Sequence, residues 1–292
     1  MFVIGNEFSD VKSYFQEKLN AIFSEREVKS ILKDTVCNRL DNSNLSYIDL
    51  LPLRFSESDL LYFRSVIQRL LNNEPFQHVI GYTWFCDVKI KCDERALIPR
   101  PETEELVVWV VEQLDDCKNP RIVDLCAGTG CIGIALKTQL SAANITLVEY
   151  SQDAIGLLND NLKENKMDLP VVELDVLNSS DYNFPLNSFD CWVSNPPYIP
   201  TIDKLKMHEN VLNFEPEMAL FVPDEDPLLF YREIAKNGLL FLKNEGLLFF
   251  EIHEDLGQET MALLNELGFV NIELRKDLQG KDRMIKAQKL NS

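Results

Sequence analysis

From Arg121 onward, short apolar and β-branched runs alternate with segments of helical periodicity, and no other feature restricts the fold as much. The runs are 121–125, 145–149, 171–174, 189–194 and 246–252. Their alternation with helices argues for a parallel sheet covered by helices. Two further runs, 270–274 and 283–287, are separated only by the turn-like Asp277-Leu278-Gln279-Gly280-Lys281-Asp282. That segment is too short for a crossover helix, so this pair should be antiparallel. The expected fold class is α/β, a mostly parallel sheet with an antiparallel last strand.

Ahead of this region lies a different pattern. Between Phe8 and Leu71 apolar residues recur at three- and four-residue spacing, and Ser24 with Glu27 forms a capping box. Leu60, Phe63, Ile67 and Leu70 fall on one helix face, which predicts a small bundle. Periodicity alone leaves open whether that bundle is a structural appendage or a docking surface. Thr83-Phe85 and Val88-Ile90-Cys92 then alternate with polar residues and are broken by Gly81 and Asp87, which predicts a β-hairpin linker. Pro99 and Pro101 stop any strand, and Glu102 or Thr103 should start a helix ending near Leu114. With 292 residues the chain is long for one domain. We expect a helical unit over 1–74, the hairpin linker over 75–98 and the α/β domain over 99–292.

Composition excludes several function classes. The formal net charge of −18 is the wrong sign for general attraction to a phosphate backbone, so direct nucleic acid binding is not expected. The seven cysteines are scattered and include no Cys-x-x-Cys pair, and the three histidines stand far apart, so neither a disulfide framework nor a metal site is expected. No apolar stretch reaches the ~20 residues of a membrane helix. Met1 to Asp10 carries acidic residues and no basic region leading into a long apolar run, so no leader is read there and a cytoplasmic location is expected.

A strand running into a glycine turn is spelled by Ile122-Val123-Asp124-Leu125-Cys126-Ala127-Gly128-Thr129-Gly130, with a helix from about Cys131. In open α/β sheets, ligands sit at the carboxyl ends of strands, where glycines let the backbone approach closely. Gly128, Gly130 and Gly133 also spell a dinucleotide-type pattern, so a nicotinamide cofactor has to be weighed. Asp124 argues for S-adenosylmethionine (SAM), because a carboxylate at the strand end suits a ligand bearing an ammonium and a sulfonium. Glu149, closing the next strand 25 residues on, is placed to accept from ribose hydroxyls. Asp175 ends the third run and is expected to accept from the adenine amino group, with Val176 against the ring.

The fourth run, Phe189–Ser194, ends in Asn195-Pro196-Pro197-Tyr198. An amide or aromatic amino nitrogen is a poor nucleophile because its lone pair is delocalised, and its two N–H groups must be held by acceptors. The Asn195 side-chain oxygen and the Pro196 carbonyl can serve, with Pro197 stiffening the turn and Tyr198 offering a ring to a planar group. Holding nitrogen, methyl and sulfur in line supplies most of the catalysis, and no general base is demanded. Such a clamp suits a protein amide or a nucleobase amino group, and the acidic balance opposes the nucleobase. A cofactor-binding module without activity would be credible only if the tetrapeptide were degraded, and it is intact.

The chain resembles the release-factor glutamine N5-methyltransferases over nearly its whole length. Besides the tetrapeptide, the resemblance rests on Glu74-Pro75-Phe76-Gln77-His78-Val79-Ile80-Gly81, Leu97-Ile98-Pro99-Arg100-Pro101-Glu102-Thr103-Glu104, Phe214-Glu215-Pro216 and Arg275-Lys276-Asp277-Leu278-Gln279-Gly280-Lys281-Asp282-Arg283. It implies a helical N-terminal domain, a hairpin linker and a Rossmann-like SAM-dependent domain that methylates the glutamine of a Gly-Gly-Gln loop in peptide chain release factors. A monomer is expected. Carried over by position, the cofactor loop falls on Cys126, Ala127, Gly128, Thr129 and Gly130, the ribose acid on Glu149 and the glutamine clamp on Asn195 to Tyr198. The sequence departs from the pattern where Cys126-Ala127 stands for Gly-Thr or Gly-Cys, Glu149 for Asp and Val176 for a larger side chain. Cys131 would sit at a helix N-terminus, where a thiol can have a lowered pKa, although no redox role is required of it or of Cys126.

Overall fold

The computed structural model describes residues 5–291, so the first four residues of the segment read for a leader lie outside the described residues. The chain divides into two compact units: one runs as far as Gly81 and takes in Glu209–Phe214, and the other comprises Tyr82–His208 and the chain from Glu215 onward.

The first unit is helical, with α1 Phe8–Leu19, α2 Glu25–Arg39, α3 Tyr47–Leu50, α4 Glu57–Leu71 and α5 Phe76–Ile80. Reciprocal side-chain bonds close the capping box at Ser24 and Glu27, and Ser56 and Asp59 do the same for α4. Phe63, Ile67 and Leu70 are buried against Phe15, Val28 and Leu32, with Leu60 packed at the margin. The division falls at Gly81 rather than at 74 for a local reason. The Arg69 guanidinium on α4 donates to the His78 and Val79 carbonyls and is paired with Glu74, which fastens α5 to the bundle.

The second unit opens with the hairpin, β1 Tyr82–Phe85 against β2 Val88–Lys91. Cys86 and Asp87 both take positive φ, 46° and 62°, as a two-residue turn matched to strand twist requires. The next helix, α6 Pro101–Leu114, begins at Pro101 with Arg100 as its N-cap, one to two residues before the expected start.

Then follow β3 Arg121–Leu125, α7 Cys131–Gln139, β4 Asn144–Glu149, α8 Gln152–Glu164, β5 Val171–Glu173, β6 Phe189–Ser194 and β7 Ile199–Pro200. The short α9 Glu209–Phe214 belongs to the helical unit, and after it come β8 Phe221–Val222, α10 Leu229–Phe241, β9 Leu242–Glu251, α11 Gly257–Leu267, β10 Phe269–Lys276 and β11 Asp282–Lys289. Seven of these strands form one sheet in the order β10-β11-β9-β6-β3-β4-β5. From β9 to β5 every pairing is parallel, while β11 is antiparallel to both β9 and β10, so the expected pairing of the last two runs holds.

Side chains alternate across this sheet. Ile122 packs with Ile132 and Ile134 of α7 and with Leu106 and Trp109 of α6, whereas Val123 and Leu125 pack on the opposite face with Tyr231 and Ile234 of α10. Gly133 lets α7 lie close on β4: a Cβ there would stand 2.1 Å from the Leu147 Cδ2 and 3.2 Å from an Asp124 carboxylate oxygen. Gly133→Ala is therefore expected to destabilise the protein by about 1–3 kcal/mol, read as a lower urea midpoint at unchanged slope.

Candidate active site

The carboxyl ends of β3, β4 and β6 open onto a cavity of about 410 Å³, within the usual size for a small-molecule site. Cys126, Ala127, Gly128, Thr129, Glu149, Asp175, Val176, Asn195 and Pro197 all line it. After β3 the backbone turns through left-handed conformations at Cys126, Gly128 and Gly130, with φ of 59°, 53° and 79°, and α7 starts directly after Gly130. Cys126 accepts this conformation without being glycine. The thiols do not behave as a helix N-terminus alone would dictate, because burial pushes both Cys126 and Cys131 well above the ordinary range.

Glu149 organises the loop. Its Oε2 accepts the Gly128 N–H at 2.8 Å, and its Oε1 accepts the N–H groups of Tyr150 and Ser151 at 2.8 and 2.9 Å. A carboxylate offers about four lone-pair sites, which leaves one on Oε2 for a ligand hydroxyl. Asp175 is fixed by accepting the Leu177 N–H at 2.9 Å, and the apolar walls beside it come from Leu174, Val176 and Leu177.

Asp124 corrects the expectation of direct ligand contact. It shares the sheet face of Ile122, beneath α7, and its buried carboxylate accepts the Gly133 N–H at 2.9 Å instead of reaching the cavity wall. Burial pushes its carboxyl up to about 7, opposed by the Gly133 hydrogen bond and reinforced by the Glu149 charge. Its role at this position is to hold the start of α7 and hence the loop.

The tetrapeptide leaves β6 beside the cavity. Asn195 and Pro197 line it, while the buried Pro196 and the half-buried Tyr198 do not. Behind Asn195 lies a set of polar side chains whose roles the sequence reading did not assign. The Asn195 Nδ2 donates to the Thr103 Oγ1 at 3.3 Å, and the Thr103 hydroxyl donates to the Glu251 Oε2 at 2.6 Å. The Tyr198 hydroxyl donates to the Glu251 Oε1 at 3.1 Å. Burial raises the Glu251 carboxyl above its usual range, against the two hydroxyls and the nearby Arg283 guanidinium, which act to lower it. Arg283 is itself paired with Asp277, which brings the last quoted motif to this site.

Two other motifs meet at the cavity rim. Glu215, whose side chain is almost fully enclosed, accepts the Ile98 N–H at 3.0 Å and the Arg100 guanidinium at 2.6 Å. Ile98, Arg100 and Pro216 all line the cavity, so this pair shapes its wall.

Residues 107–213 match the family described as Methyltransferase small domain. A release factor glutamine methyltransferase of Flavobacterium psychrophilum is 38% identical, over 94% of this chain and 98% of that protein. Its counterpart in Bacteroides thetaiotaomicron is 34% identical over 96% and 99%. The chain belongs to the release factor glutamine methyltransferase family. A solved methyltransferase from Pyrococcus furiosus, 12% identical, aligns with a TM-score of 0.50 over 70% of this chain and 90% of that one, which shows the fold.

The methyl donor of this family is SAM. Glu149 keeps one acceptor lone pair free, Asp175 lines the same cavity, and the walls between them are apolar. The missed residues carried signals. Glu251 ends the apolar run Leu247-Leu248-Phe249-Phe250 at the carboxyl end of a strand, the position where ligands gather. Thr103 was visible only as a helix starter.

Two measurements check these assignments. Glu149→Gln, which removes the charge and one acceptor, is expected to weaken SAM binding about tenfold by calorimetry. For Asp124 the raised native value means the folded protein retains a proton that the unfolded chain releases above about pH 3.9. Stability from this group is full at low pH and is lost as pH rises towards about 7. Asp124→Asn should flatten that part of the stability profile and leave the free protein more stable than wild type at pH 8, as read by urea denaturation.

Proposed function

We propose that this chain transfers a methyl group from SAM to the side-chain amide nitrogen of the glutamine in the Gly-Gly-Gln loop of peptide chain release factors. Asn195 carries the reading: it lines the cofactor cavity, and its NH2 is committed to Thr103, so its Oδ1 remains as an acceptor for a substrate N–H. When bound, SAM supplies an activated methyl on a sulfonium. Transfer would form one N–C bond as the electron pair of the C–S bond went to sulfur, and the displaced amide proton would pass to solvent.

The chain's own residues orient the amide. Asn195 and the Pro196 carbonyl act as acceptors for its two N–H groups, Pro197 stiffens the turn, and the Tyr198 ring, tethered through its hydroxyl to Glu251, supports the planar group. In this reading the enzyme works as a cytoplasmic monomer on a protein partner. The net charge of −18 supports the choice of protein over nucleic acid. The helical unit serves as the docking domain, with the exposed Ile48 and Leu51 available for apolar contact.

Incubation with SAM and a release factor, followed by peptide mass spectrometry, should show one methyl group on the Gly-Gly-Gln peptide. An unmodified peptide from enzyme that binds SAM rejects the substrate. Asn195→Ala should lower kcat by roughly 10²–10³, the usual cost of removing one preorganised polar group, while SAM affinity stays within about threefold.

A further inference from the structure

We propose that Glu251, acting through Thr103, sets the hydrogen-bond polarity of the Asn195 amide, so that its oxygen rather than its NH2 faces the substrate and the site selects an amide over a carboxylate. The inference rests on the glutamine reading above and gives two otherwise unassigned side chains a positioning role. Both are enclosed, Thr103 at 2% exposure and Glu251 at 1%, so water does not compete for their bonds.

Proton counting fixes the orientation. Both Glu251 oxygens accept hydroxyl protons, from Thr103 and from Tyr198, and a threonine hydroxyl has one proton and two lone pairs. With that proton donated to the Glu251 Oε2 at 2.6 Å, Thr103 has only lone pairs left for Asn195. Asn195 must therefore turn its Nδ2 to Thr103, as the 3.3 Å contact shows, and its Oδ1 points away. The second Glu251 oxygen holds the Tyr198 hydroxyl, so one carboxylate orients both ends of the tetrapeptide.

Sheet register explains why these groups meet. Ser194 pairs with Phe250 in the parallel β6–β9 ladder, which brings Asn195 and Glu251 off adjacent strand ends. Glu251 shares the face of Phe249, which packs on Trp109 of α6, and α6 carries Thr103.

The polarity has a chemical consequence. A substrate NH2 needs acceptors, and a flipped Asn195 would present a second NH2 to it. A substrate carboxylate has the opposite requirement and is repelled by the Oδ1. Replacing Glu251 with glutamine supplies a donor to Thr103, frees the Thr103 proton to point at Asn195, and favours the flipped amide.

The test uses the full-length enzyme with three variants. Thr103→Val and Glu251→Gln are expected to lower kcat on a release factor about 10²-fold, with KM and SAM affinity within about threefold; Thr103→Ser, which retains the hydroxyl, should recover kcat to within about fivefold of wild type. In binding titrations, wild type should prefer the release factor with Gly-Gly-Gln over one carrying glutamate in place of the glutamine by about tenfold or more, and Glu251→Gln should narrow that gap. Wild-type kcat in Thr103→Val, a loss that Thr103→Ser does not repair, or an unchanged gap in Glu251→Gln each overturns the proposal. Failure of the substrate reading is recognised separately, by wild-type enzyme that binds SAM and leaves the release factor unmodified. The polarity is then decided by nitrogen NMR of the Asn195 side chain. Slow hydrogen exchange of its NH2 in wild type, lost in Thr103→Val, upholds it, and equal exchange in the two proteins overturns it.

Discussion

Parallel pairing at the centre of the sheet is the constraint on which the site depends. Parallel strands send all their carboxyl ends to one edge, whereas antiparallel neighbours alternate. Because β3 lies between β4 and β6, with β9 next to β6, the loop after Leu125, Glu149, Asn195 and Glu251 leave the sheet side by side. The reversed last strand adds to this convergence. β11 runs against β9 with Met284 opposite Glu251, so Arg283, near its beginning, arrives at the edge where the others end. Reversal of that strand is therefore how a cation from the far end of the chain comes to lie near Glu251.

Three enclosed carboxylates divide the structural work at this edge. Asp124 holds the first turn of α7 through the Gly133 N–H, Glu215 holds Ile98 and Arg100, and Glu251 holds Thr103 and Tyr198. Taking a carboxylate out of water is costly unless partners repay it, and removing one partner of a buried ion pair commonly costs about 3–5 kcal/mol. These acids are thus weak sources of stability and strong sources of geometry. Each fixes a different wall or arm of the site, and Glu215 and Glu251 do so through partners distant in sequence. The overall acidity of the chain says nothing about them, since a net charge counts exposed and buried groups alike.

Much of this was legible before the fold was known. The strand runs, the antiparallel final pair, the Ser24 capping box and the Asn195 tetrapeptide are local patterns, and local patterns survive without knowledge of pairing. Asp124 was misplaced for a reason that is also local. Position 124 shares its side with Ile122, and alternation turns it under α7 rather than out of the strand end. Glu251 and Thr103 were invisible as a pair because their meeting depends on the β6–β9 register and on which face of β9 takes α6, and neither follows from spacing along the chain. The boundary at Gly81 was missed because Arg69 captures the carbonyls of α5, a side-chain event that no periodicity records.

The tetrapeptide by itself is an incomplete description of the chemistry. An asparagine amide in water presents its oxygen and its NH2 with little preference, so a clamp built from it alone would be misoriented for much of the time. A tenfold bias towards one orientation needs about 1.4 kcal/mol, near the upper end of what one neutral hydrogen bond contributes. Thr103 has a fixed polarity because the Glu251 oxygen behind it takes its only proton. Selecting an amide over a carboxylate then follows from an acceptor that never touches the substrate, and motifs widely separated in sequence act together because each supplies one member of a single chain of donors and acceptors.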